Sequence, residues 1–288
     1  MRLPIICKSS QSQAVREQSV TILGSMNATD PVLLDRQELE RIAMAALLVA
    51  RALMESGARA ESVHENCCLV GRGLGAERVD LRSGYASLDI TVFRGMSTVT
   101  RMVEVGPLGA NHRLSQAVRE LAQRIGRGGL TPAEALADLT RVRQNTPRHP
   151  PWLVACAVGM ACAAFGRLLG MDWVAFIPVA ASGAIGQTVR HSLLSRGTNL
   201  FVVAGCVAFL SSGLGELGAK WAGSNTADLA MIASVLLLVP GVPALNAQYD
   251  ILEGHPTLGT ARMVFVGMLL IFVATGVLIA CAILGVRQ

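Results

Sequence analysis

The sequence predicts an α-helical integral membrane protein of about five transmembrane helices, preceded by a soluble α+β domain. Three observations carry this. Hydrophobic residues make up 52% of the 288 positions and charged residues only 16%, with a mean hydropathy of +0.48. A soluble domain is usually about a quarter charged. Most of the charge precedes residue 150, while long apolar runs dominate from Trp152 onward. The division reads as a flexible N-terminus over 1–34, a cytosolic α+β domain over 35–148 and a transmembrane domain over 152–288.

The elements follow in order. The first 30 residues are polar and Ser- and Gln-rich, and either Met1 or Met26 could be the start. The four-residue apolar run in "MRLPIICK" is too short for a signal peptide. From Asp35, Leu39, Ile42, Ala46, Val49 and Leu53 recur at helical spacing, and Gly57 is a natural stop. "ARAESVHENCCLVGRGLG" reads as a second helix closed by glycines. The runs "ERVDLRS", "ASLDITVF" and "STVTRMVEV" read as strands with turns at Ser83-Gly84 and Arg94-Gly95. Asn111 to Ile125 is amphipathic. A further helix starts after Thr131, with Pro132 at its first position and Glu134 three beyond the cap. The order is ααβββαα.

After the linker "NTPRHPPW", five spans are expected at about 152–169, 173–190, 198–216, 227–246 and 261–285. About 18 to 25 residues cross a core of roughly 30 Å. Placing the N-terminal domain inside gives six flanking arginines there: Arg141, Arg143, Arg148, Arg190, Arg196 and Arg262. The outside flanks carry three basic residues: Arg167, Lys220 and Arg287. This bias favours a cytoplasmic N-terminal domain. Basic residues beside membrane helices also account for the net charge of +5, and no basic stripe with interleaved aromatics points to nucleic acid.

Several local patterns have ordinary readings. "GRGLGAE" follows a helix and precedes a strand, the reverse of a dinucleotide loop, so it terminates a helix. His64, Cys67 and Cys68 lie one turn apart, but adjacent cysteines diverge by about 100° on a helix, and packing is favoured over a metal. The seven cysteines, Cys7, Cys67, Cys68, Cys156, Cys162, Cys206 and Cys281, show no zinc or disulfide spacing. No metal or other cofactor is expected. Gly205, Gly213, Gly215 and Gly218 read as helix-packing positions. Asp172, Glu216 and Asp228 read as solvated span ends.

"LLLVPGVPALNAQYDILEGHPTLG" is different. The eleven residues from Leu229 to Val239 give roughly 16 Å of helix, too short to cross. Pro240, Gly241 and Pro243 then break it, and Pro243 suits the first position of a second half-helix. A break at membrane depth must lie against protein or a water-filled cavity. The amides and positive dipole end of the second half could hold a carboxylate, with Asn246 beside them. Asp250, about two turns on, could carry a proton or bind an amine. The substrate-binding candidates are therefore Pro240, Gly241, Pro243 and Asn246, with Asp250 for proton or substrate coupling. The alternative is a surface turn.

The stretches from Ala46 to Gly75, from Thr100 to Trp152 and from Leu236 to Met263 resemble the threonine/serine exporter family in order and spacing. In particular they resemble the larger subunit of its split bacterial members. The most specific marks are the Ser56-Gly57-Ala58 helix end with Glu61 and Val63, and the pattern Pro240, Gly241, Asn246, Asp250, Gly254 and Gly259. Arg59 and Ala60 depart from the acidic residue and hydroxyl often found after the Gly-Ala, and no site is carried over to that segment. The resemblance implies a bacterial inner-membrane exporter of threonine and serine, or of dicarboxylates such as succinate. It also implies a second subunit, a small membrane protein of about four or five spans, because fused members have about ten.

The expected function is thus a subunit of a secondary transporter exporting small carboxylate metabolites, coupled to protons and oligomeric. No Walker motif points to ATP. No HExxH, GxSxG or paired-carboxylate signature points to an enzyme. A membrane-anchored sensor with a cytosolic ligand-binding domain is the alternative.

Overall fold

The computed structural model describes residues 31–285 apart from 108, 110 and 148. The candidate start codons, Cys7, Arg148 and Arg287 lie outside the described residues. The N-terminal region contains α1 (Pro31–Glu55), α2 (Ala60–Gly73), β1 (Arg78–Ser83), β2 (Ser87–Arg94), β3 (Ser97–Glu104), α3 (His112–Gly126) and α4 (Pro132–Asn145). This is the ααβββαα order that periodicity implies, although α1 begins before Asp35. The strands form an antiparallel sheet in the order β1-β2-β3, with Val79 opposite Val92, Leu81 opposite Ile90, and Val92 opposite Val99. Those side chains share a core with Leu39, Ile42, Ala46, Val49 and Leu53 of α1, all at most 1% exposed. Asn111 caps α3 through its side chain, and Thr131 with Glu134 forms a reciprocal capping box on α4. The second helix ends at Gly73, and Gly75 takes a positive φ of 102°, so the glycines of "GRGLG" terminate a helix. Cys67 lies in the core, where burial pushes its thiol pKa up.

The apolar half contains α5 (Pro151–Leu168), α6 (Phe176–Ser195), α7 (Leu200–Trp221), α8 (Ala227–Val235), a single 3-10 turn (Leu236–Leu238), α9 (Gly241–Leu252) and α10 (Pro256–Leu284). Among the described residues, α5, α7 and α10 are long and apolar enough to cross a membrane. The segments Ala227–Leu238 and Gly241–Leu252 meet at a 60° bend and make a fourth candidate if they act as one broken span. By length and apolarity the described residues thus give three candidate spans, or up to four, against the five expected. The difference is α6, which has the length but carries Gln187, Thr188, Arg190 and His191 in its second half.

Small residues set the spacing of these helices. A methyl group added at Gly159 would overlap the Ala180 carbonyl, and one at Gly276 would overlap the Gly205 carbonyl. The backbones of α5 and α6, and of α7 and α10, thus approach as closely as glycine permits. Gly215 packs its α-carbon against Ser234, and Gly218 against Pro178, whereas Gly213 faces open space. Large apolar side chains, including Ile177 of α6 and Ile271, Leu278 and Ile283 of α10, are exposed on the outside.

Glu216 is not at a solvated span end. Its side chain is 0% exposed, one oxygen lies 2.5 Å from the Lys220 ammonium, and the other has no hydrogen-bond partner. Its place one turn before Lys220 on a helix packed by α6, α8 and α10 buries it. Asp172 accepts the Ala175 amide at 2.9 Å and is held by the Ser224 hydroxyl and the Asn225 amide. It ties the α5–α6 loop to the α7–α8 loop. Asp228 is exposed.

Candidate functional site at the broken helix

The first half of the broken segment ends in a 3-10 turn, and Val239 is extended with φ −69° and ψ 117°. Because Pro240 cannot donate a hydrogen bond, the helix cannot run through it. The second half starts at Gly241, so Pro243 is its third residue and not its first. Proline is tolerated there because the first four amides of a helix have no intrahelical acceptor. Gly241 donates to the Val239 carbonyl at 2.9 Å and Ala244 to the Pro240 carbonyl at 3.0 Å. The Val242 amide is left as the backbone donor of this turn without a partner among the described residues.

A cavity of about 330 Å³ opens beside the break. Pro240, Gly241, Pro243 and Asn246 all line it, together with Gly57, Tyr85 and Gly109 of the N-terminal region. Leu200, Leu237, Leu238, Phe265 and Leu269 form apolar walls, and Arg190 and Arg262 supply two cations. Its volume falls within the range of small-molecule sites. Burial raises the pKa of the Tyr85 hydroxyl above its ordinary value, against the opposing effect of Arg262, so the hydroxyl remains a donor.

Asp250 does not line the cavity. Its side chain is wholly buried and forms an ion pair with Nη1 of Arg262, whose side chain is only 5% exposed. The other Asp250 oxygen accepts the Ala60 amide at 2.9 Å. Arg59, the N-cap of α2, makes no side-chain cap, so a carboxylate 190 residues away satisfies the start of that helix. Asn246 Nδ2 donates to the Gly57 carbonyl at 2.8 Å, leaving its second N–H for the cavity. Arg59 pairs with Glu253 at 2.9 Å and lies 4.9 Å from the centre of the Tyr249 ring. The turn between α1 and α2 is therefore the surface on which α9 docks. Leu258 of α10 extends that contact into the N-terminal core.

Sequence reasoning brings Pro240, Gly241, Pro243 and Asn246 to one cavity but misses the polar and turn residues around them, Arg190, Arg262 and Gly57 among them. Arg190 and Arg262 read as flanking arginines, yet Arg262 is buried and Arg190 faces the cavity. The signal for Arg190 is its position inside a helix that also carries Gln187 and Thr188, since charge within such a segment marks a polar interior. The turn at Gly57 and Ala58, given no role from its sequence, supplies carbonyls to Asn246 at 2.8 Å and, through a long contact of 3.4 Å, to Arg262. The later glycines of the family pattern have local reasons. Gly254 has φ 89° in the turn after α9, and a side chain at Gly259 would strike the Ala247 carbonyl and Ile251.

Residues 44–284 match the family described as "Putative threonine/serine exporter". The protein named "Probable succinate transporter subunit YjjP" of Escherichia coli K12 is 30% identical over 244 residues, covering 82% of this chain and 91% of that protein. The protein of the same name from Klebsiella aerogenes is 27% identical over 259 residues, covering 88% of this chain and 98% of its own. No solved structure matches. The chain belongs to the threonine/serine exporter family.

Proposed function

We propose that this chain is one subunit of a proton-coupled secondary transporter that exports a small carboxylate, a dicarboxylate such as succinate. Pro240, Gly241, Pro243 and Asn246 form one wall of its substrate site. Asp250 couples that site to the N-terminal region through Arg262. The observation that carries the reading is the cavity itself, a walled pocket at a helix break with two guanidinium groups and no acidic residue among its lining. A carboxylate placed there meets cations, the free Val242 amide and the second N–H of Asn246. The relatives named as succinate transporter subunits support the same substrate class. They are named as subunits, which supports a partner, and we propose a small membrane protein of four or five spans.

In this reading the N-terminal region is cytoplasmic and the protein sits in the bacterial inner membrane. The broken pair forms one span and α6 a further one, with Arg190 turned to the cavity, which restores five. Broken helices at transport sites place their ends against substrate in the same physical manner. The test is flux of labelled succinate and threonine in vesicles containing this chain and its partner, with and without a pH gradient. Succinate flux that the gradient drives, and that Asn246→Ala reduces at equal protein level, is the expected result. Absence of flux for both substrates overturns the transporter reading and leaves a sensor ahead. Unchanged flux in both Asn246→Ala and Asp250→Asn overturns the site.

A further inference from the structure

The two arginines of the cavity differ in charge balance. Arg262 is already neutralised, because its Nη1 pairs with the wholly buried Asp250 carboxylate. Its side chain is 5% exposed and its Nε is buried, so it serves as a strut between α9, α10 and the Ala58 turn. Arg190 reaches the same cavity from α6 and forms no ion pair with a carboxylate among the described residues. No Asp or Glu stands in the lining, and the one other ionisable side chain there, Tyr85, is held neutral by burial. His191, beside Arg190 on α6, is exposed. Leu237 and Leu238 close the first half of the broken helix, and Gly241 and Val242 open the second. Opposite ends of two helix dipoles therefore meet at the cavity and offset each other. What remains is a single uncompensated positive charge, that of Arg190.

We propose that the cavity binds its substrate as a monoanion, with one carboxylate on Arg190 and the second carboxyl group of a dicarboxylate protonated. This inference rests on the transporter reading and deepens it by naming the charge state of the substrate. One carboxylate neutralises Arg190 in a charge-assisted, two-donor contact. A second would bring a negative charge that no free cation offsets, between walls formed by Leu200, Leu238, Phe265 and Leu269. Protonation removes that cost. The partners left for the neutral carboxyl group are themselves uncharged: the Tyr85 hydroxyl, the Val242 amide and the second N–H of Asn246.

The test is ligand binding to the purified full-length chain in lipid nanodiscs, with succinate and monomethyl succinate as probes. The ester keeps the chain and one carboxylate but cannot become a dianion. Between about pH 7.5 and 5 succinate takes up one proton, so its affinity should rise more than about tenfold, while that of the ester changes less than about threefold. The ratio of the two affinities cancels titration of the protein's own groups and reports the proton on the ligand. Arg190→Gln should weaken both ligands by about tenfold or more, the scale of one charge-assisted contact. Arg190→Lys should restore part of the loss, since lysine retains the charge without the planar fork. A ratio that does not change with pH overturns the proposal, as does succinate binding tighter than the ester at pH 7.5. Unchanged affinities in Arg190→Gln, or no binding of either probe to wild type, overturn it as well. If Arg190→Gln does not fold, Arg190→Lys decides by the same criterion. Succinate flux in vesicles that contain the partner, with a pH-independent ratio, would overturn the monoanion and spare the transporter reading. The expected ratio without flux in those vesicles would do the reverse.

Discussion

Replacing Asp250 by Asn isolates the charge of the buried pair. Asparagine keeps an oxygen for the Ala60 amide, now 2.9 Å from the carboxylate, so the cap on α2 survives. What is lost is the countercharge to Arg262. Both side chains are almost fully buried, at 0% and 5% exposure. Removing one partner of such a pair costs about 3–5 kcal/mol, because the other charge remains desolvated. Asp250→Ala should cost roughly 1 kcal/mol more by also removing the cap. Asp250→Asn with Arg262→Gln removes both charges and should recover most of the single-variant loss. The assay is equilibrium unfolding of the purified chain in mixed micelles, with hydrogen exchange followed over the first turn of α2. Asp250→Ala should speed exchange at the Ala60 amide more than Asp250→Asn does. A loss below about 1 kcal/mol for Asp250→Asn, or a double variant equal to the sum of its singles, would refute the argument.

Other expectations follow from the same contacts. Burial, and then the neighbouring His255, hold the pKa of His64 below its ordinary 6.5, with its ring 4.7 Å from that of His255 and Nε2 3.2 Å from the Ser83 hydroxyl. The unfolded chain therefore binds the proton more readily, so stability from this group is complete above pH 6.5 and is lost as pH falls through the folded pKa. His64→Gln should flatten the unfolding curve measured between pH 7.5 and 5, and an unchanged slope would disprove it. Gly276→Leu should drive α7 from α10 where the Gly205 carbonyl lies, lowering the thermal midpoint in micelles by more than Gly213→Leu, which faces open space. Thr131→Ala should cost about 1 kcal/mol in the same unfolding assay by removing the capping box on α4.

The parts legible in the sequence are those with local causes. Apolar spacing at Leu39, Ile42 and Val49, alternation along β1 to β3, and the Thr131–Glu134 box each specify their element from neighbouring residues alone. The break at Pro240 was legible for the same reason, since a proline without an N–H interrupts a helix wherever it lies. The second of the expected spans, 173–190, was less so. The polar residues late in α6 lower its apolarity, although Arg190 among them lines the cavity.

Sequence by itself thus determined where the chain is helical, extended or broken, and that its second half is apolar. Only the tertiary structure decided which charges are companions. An arginine near a span end looks the same whether it reaches headgroups, a carboxylate or a cavity, because its surroundings come from elements far along the chain. Asp250 meets Ala60 across 190 residues, and Arg190 shares a cavity with Arg262 although three helices lie between them in the chain. Burial then gives those meetings their weight: the same ion pair at the surface is worth about 0–1 kcal/mol, and in the interior its disruption costs several times more.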